Sequence, residues 1–253
     1  MAFNDHFSGH AEDYGAHRPV YPEALFHYLA GLVQRRSLAW DCATGNGQAA
    51  AGLAEYFDRV LASDASAQQV AHARSNLPEN VEMRVAPAEA SGLGDHSVDL
   101  VTVAQALHWF DFEKFYAEVA RVLAPGGVLA VWGYGLTRVS AEVDVLVDEF
   151  YRGEIDRFWP AGREHVDGAY RDIPFPFEDV AGGGTPEFWM SVAWSADEFL
   201  NYLRTWSGVR RFMAAEARDP LEDLAPRLAS AWGDGRREVR WPLFFRIGQP
   251  PAT

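Results

Sequence analysis

The stretch from Leu38 to Gln48 limits the possible folds more than any other part of the chain. Leu38 to Cys42 is a short apolar run carrying one acid, Asp41; Thr44-Gly45-Asn46-Gly47 reads as a turn; QAAAGLAEYF then reads as helix because alanine dominates it. A strand that runs through a glycine turn into a helix brings backbone N–H groups together at a helix N-terminus, which is a ligand position by geometry. The alternation continues with strands at 59–64, 81–86, 98–104 and 128–134 and helices at 66–77 and 112–123. Strands alternating with helices require a mostly parallel sheet covered on both faces. Pro125-Gly126-Gly127 ends the last of these helices and turns the chain into its strand.

The glycine spacing argues against a dinucleotide. A pyrophosphate fingerprint needs a third glycine that is missing here, and an acid precedes the turn. A nucleoside with an amino-acid tail, bearing an ammonium group and no phosphate, suits that acid better. Asp64 stands 23 residues after Asp41 at the end of the second strand, the station for a carboxylate that takes both ribose hydroxyls. Its structural counterpart is an N-cap for the helix that begins near Ser66.

Outside this core the pattern loosens. PEALFHYLAGLVQR near the N-terminus has one apolar helical face, 140–152 reads as helix, and the segment after it is rich in Pro, Gly and aromatics. EFWMSVAW (187–194) and EVRWPLFFRI (238–247) read as a late antiparallel pair with a helical insertion between them. We therefore expect one domain over 1–253: an N-terminal helical lid at 1–35, a ligand-binding core at 36–135, and cap insertions with final antiparallel strands at 136–253.

Composition excludes several classes. Cys42 is the only cysteine, so there is no disulfide framework and no cysteine-rich zinc site; no metal is expected. The first residues lack a basic and then apolar leader, and no apolar run approaches about 18 residues, so a cytoplasmic protein without a membrane span is expected. A net charge of −14 disfavours nucleic acid as a partner. Nine arginines and no lysine fall in the last sixty residues, enough for a local positive pocket that would draw in an anionic small molecule.

The motifs point to a family. DCATGNGQ (41–48) resembles motif I of class I methyltransferases, with Ala43 in place of the usual first glycine. SDAS (63–66) resembles their acidic motif II, AEA (88–90) the loop that brackets adenine, VDLVTVAQALHWFD (98–111) motif IV, and RVLAPGGVLAV (121–131) the helix-turn-strand that follows. SGHAEDYGAHRPVYP, QALHWFD and LRTWSGVRRF are most similar to trans-aconitate methyltransferases and their relatives. The resemblance implies an α/β, Rossmann-like, seven-stranded mostly parallel sheet with helices on both faces and helical cap insertions. The implied cofactor is S-adenosyl-L-methionine, with S-adenosyl-L-homocysteine as product.

Carried over by position, Asp41, Ala43, Gly45 and Gly47 border the methionine part, Asp64 holds the ribose, and Ala65 lies beside the adenine. Ala88 and Glu89 close the other side of the base, Gln105 faces the sulfonium, and Tyr14 and Arg18 close over the methionine tail. A guanidinium suits that tail's carboxylate. The plain alternatives are a core role for Tyr14, a surface ion pair for Arg18, and a packed helix start at His108-Trp109. An in-line methyl transfer needs alignment more than covalent machinery. A carboxylate acceptor needs no base; for a hydroxyl acceptor, His108 would take the proton. Arg204 is the first choice to hold an anionic acceptor, with Arg210 and Arg211 read as exposed helix residues balancing Glu198 and Glu216. Methylation of a hydroxyl or amine in secondary metabolism, of a carrier-bound carboxyl, and binding of S-adenosylmethionine without turnover remain open, as do a monomer and a homodimer.

Overall fold

The structure, a computed structural model, describes residues 19–74, 77–180 and 184–251. Helix α1 (Glu23–Gly31) precedes strand β1 (Leu38–Cys42); α2 (Gln48–Leu53), β2 (Arg59–Asp64), α3 (Ala67–Ala73), β3 (Val81–Val85), β4 (Val98–Ala104), α4 (Phe112–Val122) and β5 (Leu123–Tyr134) follow. The chain then builds α5 (Ala141–Glu149), α6 (Arg163–Asp167), β6 (Glu178–Asp179), β7 (Trp189–Trp194), α7 (Ala196–Arg204), α8 (Ser207–Glu216), α9 (Leu224–Trp232) and β8 (Arg237–Gln249).

The sheet order is β3-β2-β1-β4-β5-β8-β6, with β1 to β5 parallel and β8 antiparallel to β5 and β6. Strand β4 is buried along nearly its whole length, as a central parallel strand covered on both faces must be. On one face Ala39, Leu100 and Val128 pack with Leu25, Leu29, Leu53 and Val70 from α1, α2 and α3. On the other, Trp40, Val101 and Leu129 pack with Phe115, Val119 and Val122 of α4. The N-terminal helix expected as part of a lid is thus a core element. A Cβ on Gly52 of α2 would stand 2.2 Å from the Phe26 ring of α1, so the two helices meet too closely for any other residue there.

The expected seven strands correspond to the path above, and β7 makes an eighth by pairing with the first half of β8. At 13 residues β8 is long enough to serve two partners. Arg237 to Pro242 pair with β7, and Leu243 to Gly248 pair with β5. Pro242, which has no N–H to donate, lies at the change of partner. Helices α5, α7, α8 and α9 with β7 and the first half of β8 build a third core in which Val143, Val147, Phe199, Leu203, Leu228, Trp232 and Trp241 are buried together. Helix α7 starts there with a complete capping box between Ser195 and Glu198.

At the other expected turn, Val98 pairs with Leu123 but Leu100 pairs with Val128, so 124–127 bulge out where Gly126 takes φ +78°. The turn after β1 is built on left-handed backbone: Ala43, Gly45 and Gly47 have φ of +55°, +57° and +81°. An alanine held there costs about 1–2 kcal/mol, partly offset by the lower chain entropy it has than glycine when unfolded. Ala43→Gly is accordingly expected to stabilise the protein by about 0.5–1 kcal/mol, raising Tm by about 2 °C in a thermal melt. An unchanged or lower Tm would mean that the Ala43 methyl group packs well enough to cancel the strain.

Candidate active site

The strand order reverses between β1 and β4, and in an open parallel sheet the crevice outside the carboxyl ends at that point receives the ligand. Asp41, Ala43, Gly45 and Gly47 follow or end β1, Asp64 and Ala65 end β2, Ala88 and Glu89 follow β3, and Gln105 follows β4. The fold therefore brings these sequence-predicted residues to one edge. Gln105 has φ +57°, so left-handed non-glycine residues stand at the ends of both strands that flank the crevice.

Asp41 lies beneath this surface, fully buried. Thr44 donates to one of its oxygens at 2.5 Å and Thr102 to the other at 2.8 Å. Burial outweighs these hydrogen bonds and pushes its pKa up to about 6. Its charge thus acts on the crevice from under the turn, not by direct contact. The neighbouring Cys42 thiol is pushed up by the same burial and is inert. Asp64 accepts from Gly45 N at 3.0 Å and from Ser66 N at 2.9 Å, locking the glycine turn to β2. Ser66, not Asp64, caps α3. A Cβ on Gly45 would meet nothing within 4 Å, so the turn leaves open space beside Asp64.

Two predicted residues are tied more tightly than expected. The Gln105 amide donates to Tyr134 O at 3.0 Å and accepts from Tyr134 N at 2.9 Å, extending the β4 to β5 ladder with a side chain. Gly133 permits this, since a Cβ there would stand 2.6 Å from Gln105 Oε1. Gln105 therefore borders the crevice with its polar atoms already engaged. Glu89 accepts from Asp111 N at 3.0 Å, joining the loop after β3 to the start of α4. Tyr14 and Arg18 lie outside the described residues. The adjoining Pro19 carbonyl accepts from Gln48 Nε2 at 3.2 Å, and Tyr21 N donates to Gln48 Oε1 at 3.3 Å, so the N-terminal segment reaches the glycine turn.

Above the ends of β4 and β5 opens a cavity of about 320 Å³, bordered by Gln105 and Tyr134 on the sheet side and by the cap on the other. His108, Trp159, Arg163, Trp206, Arg210 and Arg211 line it. Burial lowers the His108 pKa to about 3, helped by the Arg163 charge, so the ring is neutral at physiological pH. Arg163 lies over the Trp159 ring at 4.8 Å and pairs with Asp167 at 3.3 Å. Trp194, Trp232 and Trp241 belong to the cap's own core and only some of the tryptophans face the cavity.

Arg204 is not among the residues lining the cavity; it is exposed and bound to Asp219 at 3.2 Å and to Asn201 at 3.1 Å. Helix α7 buries Phe199, Leu200, Tyr202 and Leu203, which turns Arg204 outward. Arg211 is exposed, as read, and Arg210 is half-buried, and both border the cavity; Glu198 is paired with Arg236 and Glu216 with Arg157, not with these two. Arg163 and Trp159 were missed because their segment has no periodicity to read. Among the described residues no group of His, Cys, Asp and Glu could hold a metal ion, and no helix is long and apolar enough to cross a membrane.

Residues 40–131 match the family model of a methyltransferase domain. The sequence is 32% identical to a Dictyostelium discoideum protein named as a methyltransferase, over 98% of this chain and 95% of the relative. It is 40% identical over 116 residues, 46% of each chain, to a Mycobacterium tuberculosis protein named as an uncharacterized methyltransferase. A solved structure described as a type II methyltransferase from Anaeromyxobacter dehalogenans aligns with a TM-score of 0.86 and 44% identity, over 93% of this chain and all of that one. The chain belongs to the class I S-adenosylmethionine-dependent methyltransferases.

Proposed function

We propose that the enzyme methylates a carboxylate oxygen of a small organic acid held in the cavity between the sheet edge and the cap. One observation carries this reading: Arg210 and Arg211 line the cavity, and neither has an acidic partner among the described residues. In a protein of net charge −14, where most other arginines of the cap are ion-paired, two guanidiniums on the cavity wall without an acidic partner among the described residues favour an anion. The size of the cavity and the net charge also favour a small molecule over nucleic acid.

The residues at the strand ends suit the cofactor. The open space over Gly45, the Asp64 carboxylate beside it and the buried charge of Asp41 fit a ligand with a ribose diol and an ammonium group. Asp64 would hold the ribose, Ala65, Ala88 and Glu89 would border the base, and the turn from Ala43 to Gly47 would take the methionine part. S-adenosylmethionine, when bound, would supply an electrophilic methyl group to a carboxylate oxygen, with the C–S electron pair left on sulfur and no proton to be moved. The chain's own work is to hold the acid through Arg210 and Arg211, keep it aligned against the wall of Gln105 and Tyr134, and exclude water with Trp159 and Trp206. A carboxylate is already ionised at neutral pH, which agrees with a site whose histidine is neutral and poorly basic.

Three measurements test this reading. Calorimetric titration with S-adenosylhomocysteine is expected to show saturable binding that weakens about 100-fold in Asp64→Ala, as for the loss of charged hydrogen bonds. Because a ligand cation favours ionised Asp41, whose pKa in the folded protein is about 6, affinity should rise as pH increases through 6 and level off above it. Asp41→Asn should flatten that rise; an unchanged slope would remove Asp41 from cofactor binding.

Transfer of a labelled methyl group to a panel of carboxylic acids and matching alcohols and amines is expected to yield alkali-labile esters. Arg210→Gln should raise KM for the active acid about 10-fold or more while leaving S-adenosylhomocysteine affinity intact. Transfer to alcohols or amines alone would overturn the carboxylate assignment.

A further inference from the structure

Two consecutive non-glycine residues of the loop after α6, Ala169 and Tyr170, have φ of +54° and +57°. Each conformation costs about 1–2 kcal/mol, and a pair persists only where its surroundings impose it. The surroundings here are specific. Tyr170 N donates to His165 O at 2.7 Å. Arg246, reaching across from β8, donates to Tyr170 O at 2.5 Å and to Ile173 O at 3.2 Å, with its guanidinium 4.7 Å from the Phe175 ring. The Tyr170 ring meets Phe244 edge-on at 5.2 Å and is fully buried.

This strained and clamped backbone sets one atom behind a residue of the cavity wall: Tyr170 Oη lies 2.8 Å from His108 Nδ1. Only one of the two possible proton arrangements satisfies both groups. If Nδ1–H donated to the phenol, the phenol proton, sealed from water, would have no acceptor among the described residues, at a cost of about 1–3 kcal/mol. If the phenol donates to Nδ1, both are satisfied and the remaining ring proton sits on Nε2. That nitrogen has no partner among the described residues, and the ring borders the cavity.

We propose that Tyr170 is a positioning residue that fixes His108 as its Nε2–H tautomer, giving the acceptor cavity a neutral hydrogen-bond donor in place of a base. Resting on the carboxylate reading above, the inference adds how acids are chosen over alcohols. An N–H facing the acceptor can donate to a carboxylate oxygen, whereas a hydroxyl acceptor would need a group able to take its proton. Burial, helped by the Arg163 charge, keeps the ring from becoming a cation, so the donor stays neutral.

Long-range 15N NMR of the whole protein, with the His108 ring assigned through His108→Gln, reads the tautomer without any acceptor. The expected result is a neutral Nε2–H ring in the wild type and a mixture of both tautomers in Tyr170→Phe. An Nδ1–H ring in the wild type, or an unchanged Nε2–H ring in a folded Tyr170→Phe, would overturn the proposal; should that variant fail to fold, the wild-type spectrum decides alone. Benzoate is then titrated against its neutral analogue benzyl alcohol, and only benzoate is expected to shift the Nε2 proton. A locked Nε2–H ring that ignores benzoate would count against the acid reading of the cavity while leaving the Tyr170 lock standing.

Discussion

Asp41 leaves water at the end of β1, and its two oxygens take hydroxyl protons from Thr44 in the glycine turn and from Thr102 on the adjacent β4. A carboxylate in this position ties together the three pieces that must meet for a site to exist: the strand that ends, the turn that departs from it and the neighbour across the reversal of strand order. Asp64 repeats the device one strand further out, accepting from the turn at Gly45 and from the start of α3 at Ser66. These two acids tie the left-handed turn to β1, β2 and β4. The cost of burying Asp41 is visible in its raised pKa.

How much of this was legible follows from what pattern can carry. Alternating apolar runs and alanine-rich stretches locate β1 to β5 and the helices between them, because a doubly covered parallel sheet leaves its central strands uniformly apolar. The two acids at the strand ends are legible because chain direction and spacing alone bring them together. Arg204 misled because its partner, Asp219, lies 15 residues on beyond another helix, at a distance that no helical repeat reports. Arg210 and Arg211 are placed by how α8 leans on the cap core, a packing outcome. Tyr170 is less legible still: its role depends on a left-handed backbone that its residue type disfavours and on an arginine 76 residues away.

The tryptophan-rich cap shows the same division. Its apolar residues at helical spacing form the third core, with Trp241 donating to Tyr202 Oη at 2.9 Å inside it. The aromatics that line the cavity come from the irregular segment around Trp159 and from the start of α8, where no period applies. Regular elements supply the scaffold of this enzyme, and the residues nearest the proposed acceptor come mainly from segments that lack regularity.

Strand β8 changes partner at Pro242, and Leu243, the next residue, faces Tyr134, the last residue of β5. The cap therefore leaves the sheet at Tyr134 and rejoins it at the residue opposite, so that the two ends of the insertion lie on a single rung of the ladder, while Val166, Tyr170, Ile173 and Phe177 within it pack into the core on the α4 face of the sheet. A segment whose ends meet in this way can be exchanged as a cassette, provided that its replacement fills the same place in that core. Recombination between related genes could exchange it by joining ends that already lie side by side, giving a new choice of acceptor above parallel strands whose order and glycine turn pass through unaltered.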